Sequence, residues 1–144
     1  MNIKYSIEDL GSKGYGLIAQ QFVKAGDVVY NLADDVQAIA VDDKDLEKYL
    51  KTVKYPSAIL NRGYCTGPKF IDLQHSEAGY VNHSPSPNCV YVTAEKSVAL
   101  HDIQPGDEIT ENYAHHKIGD NYARLMVEYL GGSFEARSKD WHYR

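Results

Sequence analysis

The stretch Tyr80-Val81-Asn82-His83-Ser84-Pro85-Ser86-Pro87-Asn88-Cys89 sets an Asn-His pair, two serines, two prolines and a second asparagine between apolar runs. Proline fixes φ and removes a backbone donor, so this segment resists regular sheet. Asn and Ser side chains satisfy the neighbouring backbone locally instead. A connection of this kind holds its carbonyls and amides in fixed directions, towards the interior or towards a ligand.

The elements on either side read mainly as β. Leu17-Ile18-Ala19 and Asp27-Val28-Val29-Tyr30 are short strand-like runs punctuated by Gly11, Gly14, Gly16 and Gly26, and Gln37 to Val41 is a further strand. Leu46, Tyr49, Leu50 and Val53 recur at helical spacing after Asp42-Asp43, which predicts a helix with an acidic N-terminus that ends at Pro56. Phe70 to Leu73 is a strand in an otherwise irregular, glycine-rich region. Val90 to Thr93 and Ser97 to Leu100 form a hairpin reversing over Ala94-Glu95-Lys96. Pro105-Gly106-Asp107 is a turn before a strand at Glu108 to Thr110, and Tyr122 to Leu130 is a helix that Gly119 or Asp120 caps and Gly131-Gly132 ends. Phe22 to Val29 echoes Asp102 to Ile109, one turn used twice rather than a repeat architecture.

The chain has 144 residues, enough for one core, with a formal net charge of -5 and twelve tyrosines. No Lys/Arg block supplies the phosphate-binding surface of a nucleic-acid module, while an acidic face attracts a basic peptide. No segment approaches the length of a membrane span, and no run after Met1 resembles a secretory signal, so an intracellular setting is expected, nuclear in a eukaryotic host. Cys65 and Cys89 are too few for a disulfide framework or a four-cysteine zinc site. Adjacent His115 and His116 diverge on any regular element, so no metal site is expected. Lys13-Gly14-Tyr15-Gly16 lacks the strand, third glycine and helix of a dinucleotide fingerprint, and by itself reads as a turn. Strands and helices do not alternate as a Rossmann-like sheet needs.

Taken in order, three motifs carry a joint signal. Lys13-Gly14-Tyr15-Gly16-Leu17 with Lys24-Ala25-Gly26-Asp27 comes first. Phe70-Ile71-Asp72 then leads into Tyr80-Val81-Asn82-His83-Ser84 and Pro87-Asn88-Cys89, and Ile103 to Tyr113 reads Gly-Asp-Glu-Ile-Thr-Glu-Asn-Tyr at its end. This combination, over roughly residues 3–113, resembles the SET domain of protein-lysine methyltransferases.

The resemblance implies a mainly β fold of small twisted sheets with short helices, whose C-terminal part threads a loop as a pseudoknot and brings Asn82-His83 beside Tyr113. It implies residues 1–118 as the SET domain and 119–144 as a C-terminal helix and aromatic tail. It implies S-adenosyl-L-methionine as cofactor, with Lys13, Gly14, Tyr15 and Gly16 on its methionine part, Asn82 and His83 on its amino and adenine regions, and Trp141 as an adenine-stacking lid. Tyr113 becomes the catalytic residue, orienting the methyl group and the lysine amine in an in-line transfer. Tyr80, Tyr91 and Glu111 become the substrate channel, and the partner a lysine-containing, histone-like protein or peptide. Glu111 stands where the family often has Phe or Tyr. No cysteine follows Cys89, so the family's zinc tail is absent, and either the C-terminal helix and tail or a second subunit of a homodimer must close the channel. A cofactor- or peptide-binding module without turnover is the alternative.

Overall fold

The computed structural model describes residues 1–66, 68–93, 95–115 and 119–131. Its strands are β1 (Tyr5–Asp9), β2 (Tyr15–Ala19), β3 (Val28–Asn31), β4 (Ile39–Asp42), β5 (Tyr64–Thr66), β6 (Lys69–Asp72), β7 (Asn82–His83), β8 (Cys89–Tyr91), β9 (Lys96–Ala99) and β10 (Thr110–Glu111). Its helices are α1 (Leu46–Leu50), α2 (Pro56–Arg62) and α3 (Asp120–Leu130). The strands form four small sheets: β1-β2, β3-β9-β8 and β4-β6-β5, all antiparallel, and the parallel pair β7-β10. The mainly β expectation holds.

The echoed turns pair with each other. Val23 and Ile103 exchange backbone hydrogen bonds of 2.9 and 2.8 Å. The Gly26 amide bonds the Ala99 carbonyl at 2.8 Å, as the Gly106 amide bonds that of Ala19 at 2.7 Å. Ala99 and Ala19 return bonds of 2.9 Å to the carbonyls of Asp27 and Asp107. One turn solution used twice thus becomes a local two-fold clasp, which brings the Glu108 strand against β2 through a bridge to Ile18.

Leu17, Val29, Tyr30, Tyr64, Ile71, Val81, Ile103 and Ile109 share one core under these sheets. Leu46, Leu50, Ile59, Leu60, Phe70, Tyr122, Leu125 and Met126 share a second, where α3 rests on α1 and α2.

The helix expected after Asp42-Asp43 is shorter than its spacing suggests. A 3-10 turn over Asp43–Asp45 precedes α1, and Thr52 turns its hydroxyl back on the Tyr49 carbonyl at 2.7 Å. Pro56, expected to end that helix, opens α2 from its first turn, where its missing amide costs nothing. The acidic run also serves a different helix. Asp43 accepts from the amides of Asn121 and Tyr122 at 3.0 and 2.9 Å and so caps α3. Gly119 makes room for this, since a Cβ there would lie 2.4 Å from the Asp43 carboxyl carbon. The expected end of α3 holds, with Gly131 at φ 79°.

Candidate active site

The parallel pairing of β7 with β10 sets Asn82 opposite Thr110 and His83 opposite Glu111. Neighbouring side chains on a strand point to opposite faces, and paired residues share a face. The ladder therefore divides the site in two.

On one face, Asn82 meets the glycine turn. Its Nδ2 donates to the Tyr15 carbonyl at 3.0 Å and to Glu108 Oε2 at 2.8 Å. With both amide hydrogens committed, Oδ1 is left to accept. Glu108 also pairs with Lys13 through its other oxygen. Gly16 is packed into this group: a Cβ there would lie 2.5 Å from Leu10 Cδ1, 2.9 Å from Glu108 Oε2 and 3.0 Å from Asn82 Nδ2. Gly14 holds φ 78°, a conformation that favours glycine. Tyr15 stands 57% exposed above the turn, edge-on to Tyr80 at 6.3 Å. The Arg62 guanidinium covers the Tyr80 ring at 4.6 Å.

On the other face, His83 is buried, its ring lies 5.3 Å from that of Tyr113, and its Nδ1 accepts the Tyr113 amide at 3.1 Å. The Tyr113 hydroxyl donates to the Val81 carbonyl, one residue before Asn82. Glu111, only 3% exposed, accepts the Tyr30 hydroxyl, and Tyr30 and Tyr91 share a further hydrogen bond of 3.0 Å. Tyr64 stacks on Tyr91 with ring centroids 4.7 Å apart. Burial, and then the Glu111 charge, raise the Tyr30 and Tyr91 phenols well above their ordinary range. Burial likewise raises the Tyr64 phenol. All three remain hydrogen-bond donors throughout the neutral range.

Asn88 ties the proline-rich connection to the segment that leads into β10. Its Nδ2 donates to the Glu108 carbonyl at 2.7 Å and its Oδ1 accepts the Thr110 amide at 2.9 Å. The Ser84 amide bonds the Glu111 carbonyl at 2.8 Å, and Ser84 Oγ takes the Ser86 amide at 3.1 Å. The short polar side chains around the prolines are thus spent on backbone, holding Asn82 and His83 in place. Nearby, a cleft of about 440 Å³ is lined by Tyr30, Asp34, Asp35, Glu77 and His75 among others.

The structure therefore brings Lys13, Gly14, Tyr15, Gly16 and Asn82 together, with Tyr80 at their edge. It brings His83, Tyr113, Glu111 and Tyr91 together on the opposite face. Trp141 and His116 lie outside the described residues. Sequence reading missed Glu108, which stands inside the third motif yet reads there only as a strand residue, and Tyr30, one tyrosine among many. No group of three or more His, Cys, Asp or Glu side chains among the described residues is arranged to hold a metal ion.

The structure is similar to that of the Neurospora SET domain protein DIM-5, a histone lysine methyltransferase, with a TM-score of 0.59 and 16% identity over 83% of this chain and 55% of that one. It is also similar to KRYPTONITE, solved in complex with mCHG DNA and SAH, with a TM-score of 0.53 and 19% identity over 80% of this chain and 24% of that one. The chain thus spans about half the length of the first and a quarter of the second. Residues 14–114, which include the glycine turn, the Asn-His segment and Tyr113, match the SET domain model, and the chain belongs to the SET-domain family.

Proposed function

We propose that this chain is an S-adenosylmethionine-dependent protein-lysine N-methyltransferase. The observation that carries the reading is the convergence of the glycine turn, Asn82 and Tyr113 on one two-residue parallel ladder. The parallel β7-β10 pairing also supports the threaded arrangement of the C-terminal part.

The glycine turn fits a donor cofactor, because Gly14 holds positive φ with open space where a Cβ would lie, while Gly16 packs its backbone onto Asn82 and Glu108. Gly14, Tyr15 and Gly16 would hold the donor's methionine part, with Lys13 beside them. Asn82 Oδ1 would accept from its amino group, and the His83 backbone would face its adenine, since the His83 ring is taken up by Tyr113. When bound, S-adenosylmethionine supplies a methyl group activated by a sulfonium charge.

Tyr113 would orient the acceptor amine through its hydroxyl and ring. An ordinary lysine has a pKa of about 10.4, and its charged form has no lone pair, so the site must favour neutral amine. The buried rings of Tyr30 and Tyr64, with the half-buried ring of Tyr91, exclude water and disfavour an unpaired ammonium. Most of the remaining gain is alignment. The cleft that carries Asp34, Asp35 and Glu77 suits a basic peptide around the target lysine.

The test has two stages. Calorimetry with S-adenosylmethionine and its demethylated product measures donor binding. Transfer from labelled donor is then followed on lysine-rich proteins and on a whole proteome read by mass spectrometry. The reading expects binding and lysine labelling, with Tyr113→Phe retaining the donor but losing about a hundredfold or more in transfer. Donor binding without any lysine labelling would favour a module without turnover.

A further inference from the structure

Two carboxylates are buried among the described residues, Asp72 and Glu111. Asp72 serves the fold: it accepts the Tyr49 hydroxyl at 2.6 Å and the Gln74 amide at 2.9 Å. Glu111 is set differently. It shares a ladder face with His83, on which the Tyr113 ring lies, and it holds the hydroxyl of Tyr30, a residue that also lines the acidic cleft. Among the described residues it accepts the Tyr30 hydroxyl from β3 and pairs with His83 of β7, and its charge acts on Tyr64 of β5 and on Cys89 and Tyr91 of β8. These are phenols, a thiol and an imidazole.

We propose that Glu111 meets the ammonium of the methyl acceptor and receives its proton. The proposal rests on the methyl-transfer reading. An acceptor lysine reaches the site almost wholly charged, since at neutral pH roughly one lysine in a few thousand is neutral. Glu111 supplies a counter-charge that draws the ammonium inward. Within dry walls, an ammonium beside a carboxylate gains by moving one proton from nitrogen to oxygen, because both charges disappear together. In that step an N–H bond breaks and an O–H bond forms on Glu111. The freed nitrogen lone pair then forms the bond to the methyl carbon as the carbon–sulfur bond breaks, and that electron pair stays on sulfur. The product is a methylated ammonium and a neutral thioether. The proton leaves Glu111 through the Tyr30 hydroxyl to that of Tyr91, a half-buried residue, and passes to water as the product departs.

The experiment measures labelled methyl transfer to Nα-acetyl-lysine methylamide and to core histones across a pH series, for the parent chain, Glu111→Gln and Tyr30→Phe. Donor affinity by calorimetry and thermal melting are recorded for each. The expected result is unchanged donor affinity in Glu111→Gln and a profile of different shape. The parent levels off in the neutral range, whereas the Gln chain gains about tenfold per pH unit towards about pH 10, as its acceptor must arrive neutral. Tyr30→Phe falls between the two, and it carries the test if Glu111→Gln does not melt cooperatively. A variant profile running parallel to the parent's, whether lower or equal, overturns the role of Glu111 and leaves the methyl-transfer reading standing. A parent that binds donor and methylates neither probe overturns both. A parent that binds no donor overturns the reading of function, and with it the reaction in which Glu111 would take part.

Discussion

Val23 and Ile103 face each other across a pair of backbone hydrogen bonds of 2.9 and 2.8 Å, at the centre of a clasp made from two copies of one Gly-Asp turn. Each turn needs a glycine at positive φ, Gly26 at 89° and Gly106 at 94°, and both have open space where a Cβ would go. Their replacement therefore tests backbone conformation without collision. Gly26→Ala and Gly106→Ala should each cost about 1–2 kcal/mol and match each other closely, as read by denaturant midpoints. A large inequality would show that the two turns are equivalent in geometry only.

Gly16 presents the opposite case. Its backbone is free of positive-φ strain, but a Cβ there would collide with Leu10, Glu108 and Asn82. Leu10 can shift, whereas Asn82 and Glu108 are held by their own hydrogen bonds. Gly16→Ala should therefore cost about 1–3 kcal/mol by overpacking, and it should weaken donor binding in calorimetry more than either clasp mutant does. Equal donor affinity in all three glycine variants would separate the Asn82–Glu108 group from the cofactor.

Asn88 carries a prediction about the proline-rich connection. It is nearly buried, and both ends of its amide serve backbone groups of the segment leading into β10. Asn88→Ala leaves the Glu108 carbonyl and the Thr110 amide without that partner, at about 1–3 kcal/mol for each group that water does not reach. A total loss of about 2–4 kcal/mol in chemical denaturation is expected. Asn88→Asp should be no better, because a carboxylate cannot donate to the Glu108 carbonyl.

Much of this architecture was legible because local chemistry and tertiary role coincide. The Asn82-His83 segment resists sheet for reasons visible in Pro85 and Pro87, and the late Gly-Asp turn delivers Tyr113 to it. The hairpin lies within two residues of its expected bounds, with Cys89, Val90 and Tyr91 pairing Ala99, Val98 and Ser97. What stayed hidden depends on partners distant in sequence. Nothing local in Asp43 says that it caps α3 rather than the helix beside it. Nothing in Glu108 says that its carboxylate binds Lys13 and Asn82. Tyr30 looks like any strand tyrosine until Glu111 is folded against it. Pro56 reads locally as a stop, yet a proline suits a first helical turn equally well, and only packing decides between the two.

The buried phenols and thiols make alkaline pH the vulnerable side of this fold. Burial, and then the Glu111 charge, hold the protons of Tyr30 and Tyr91 well past the ordinary phenol range, while burial, with a smaller push from the Asp43 charge, takes the Cys65 thiol up to about 11. Cys89 is raised by burial first and by Glu111 second. In each case the folded state binds the proton more tightly than the unfolded chain does. The stabilising contribution is thus fully present below the unfolded values, about 8.5 for thiols and about 10 for phenols, and it is lost as pH rises through the folded ones. Denaturant midpoints should hold steady up to about pH 8, decline gently as unfolded thiols ionise, and drop more steeply above about pH 10. Each proton released only on unfolding contributes about 1.4 kcal/mol per pH unit to that slope. Phenolate absorbance gives an independent reading: the Tyr30 and Tyr91 rings should ionise together with unfolding rather than before it. Their titration at ordinary phenol pH in a chain that still melts cooperatively would contradict the closed packing around Glu111.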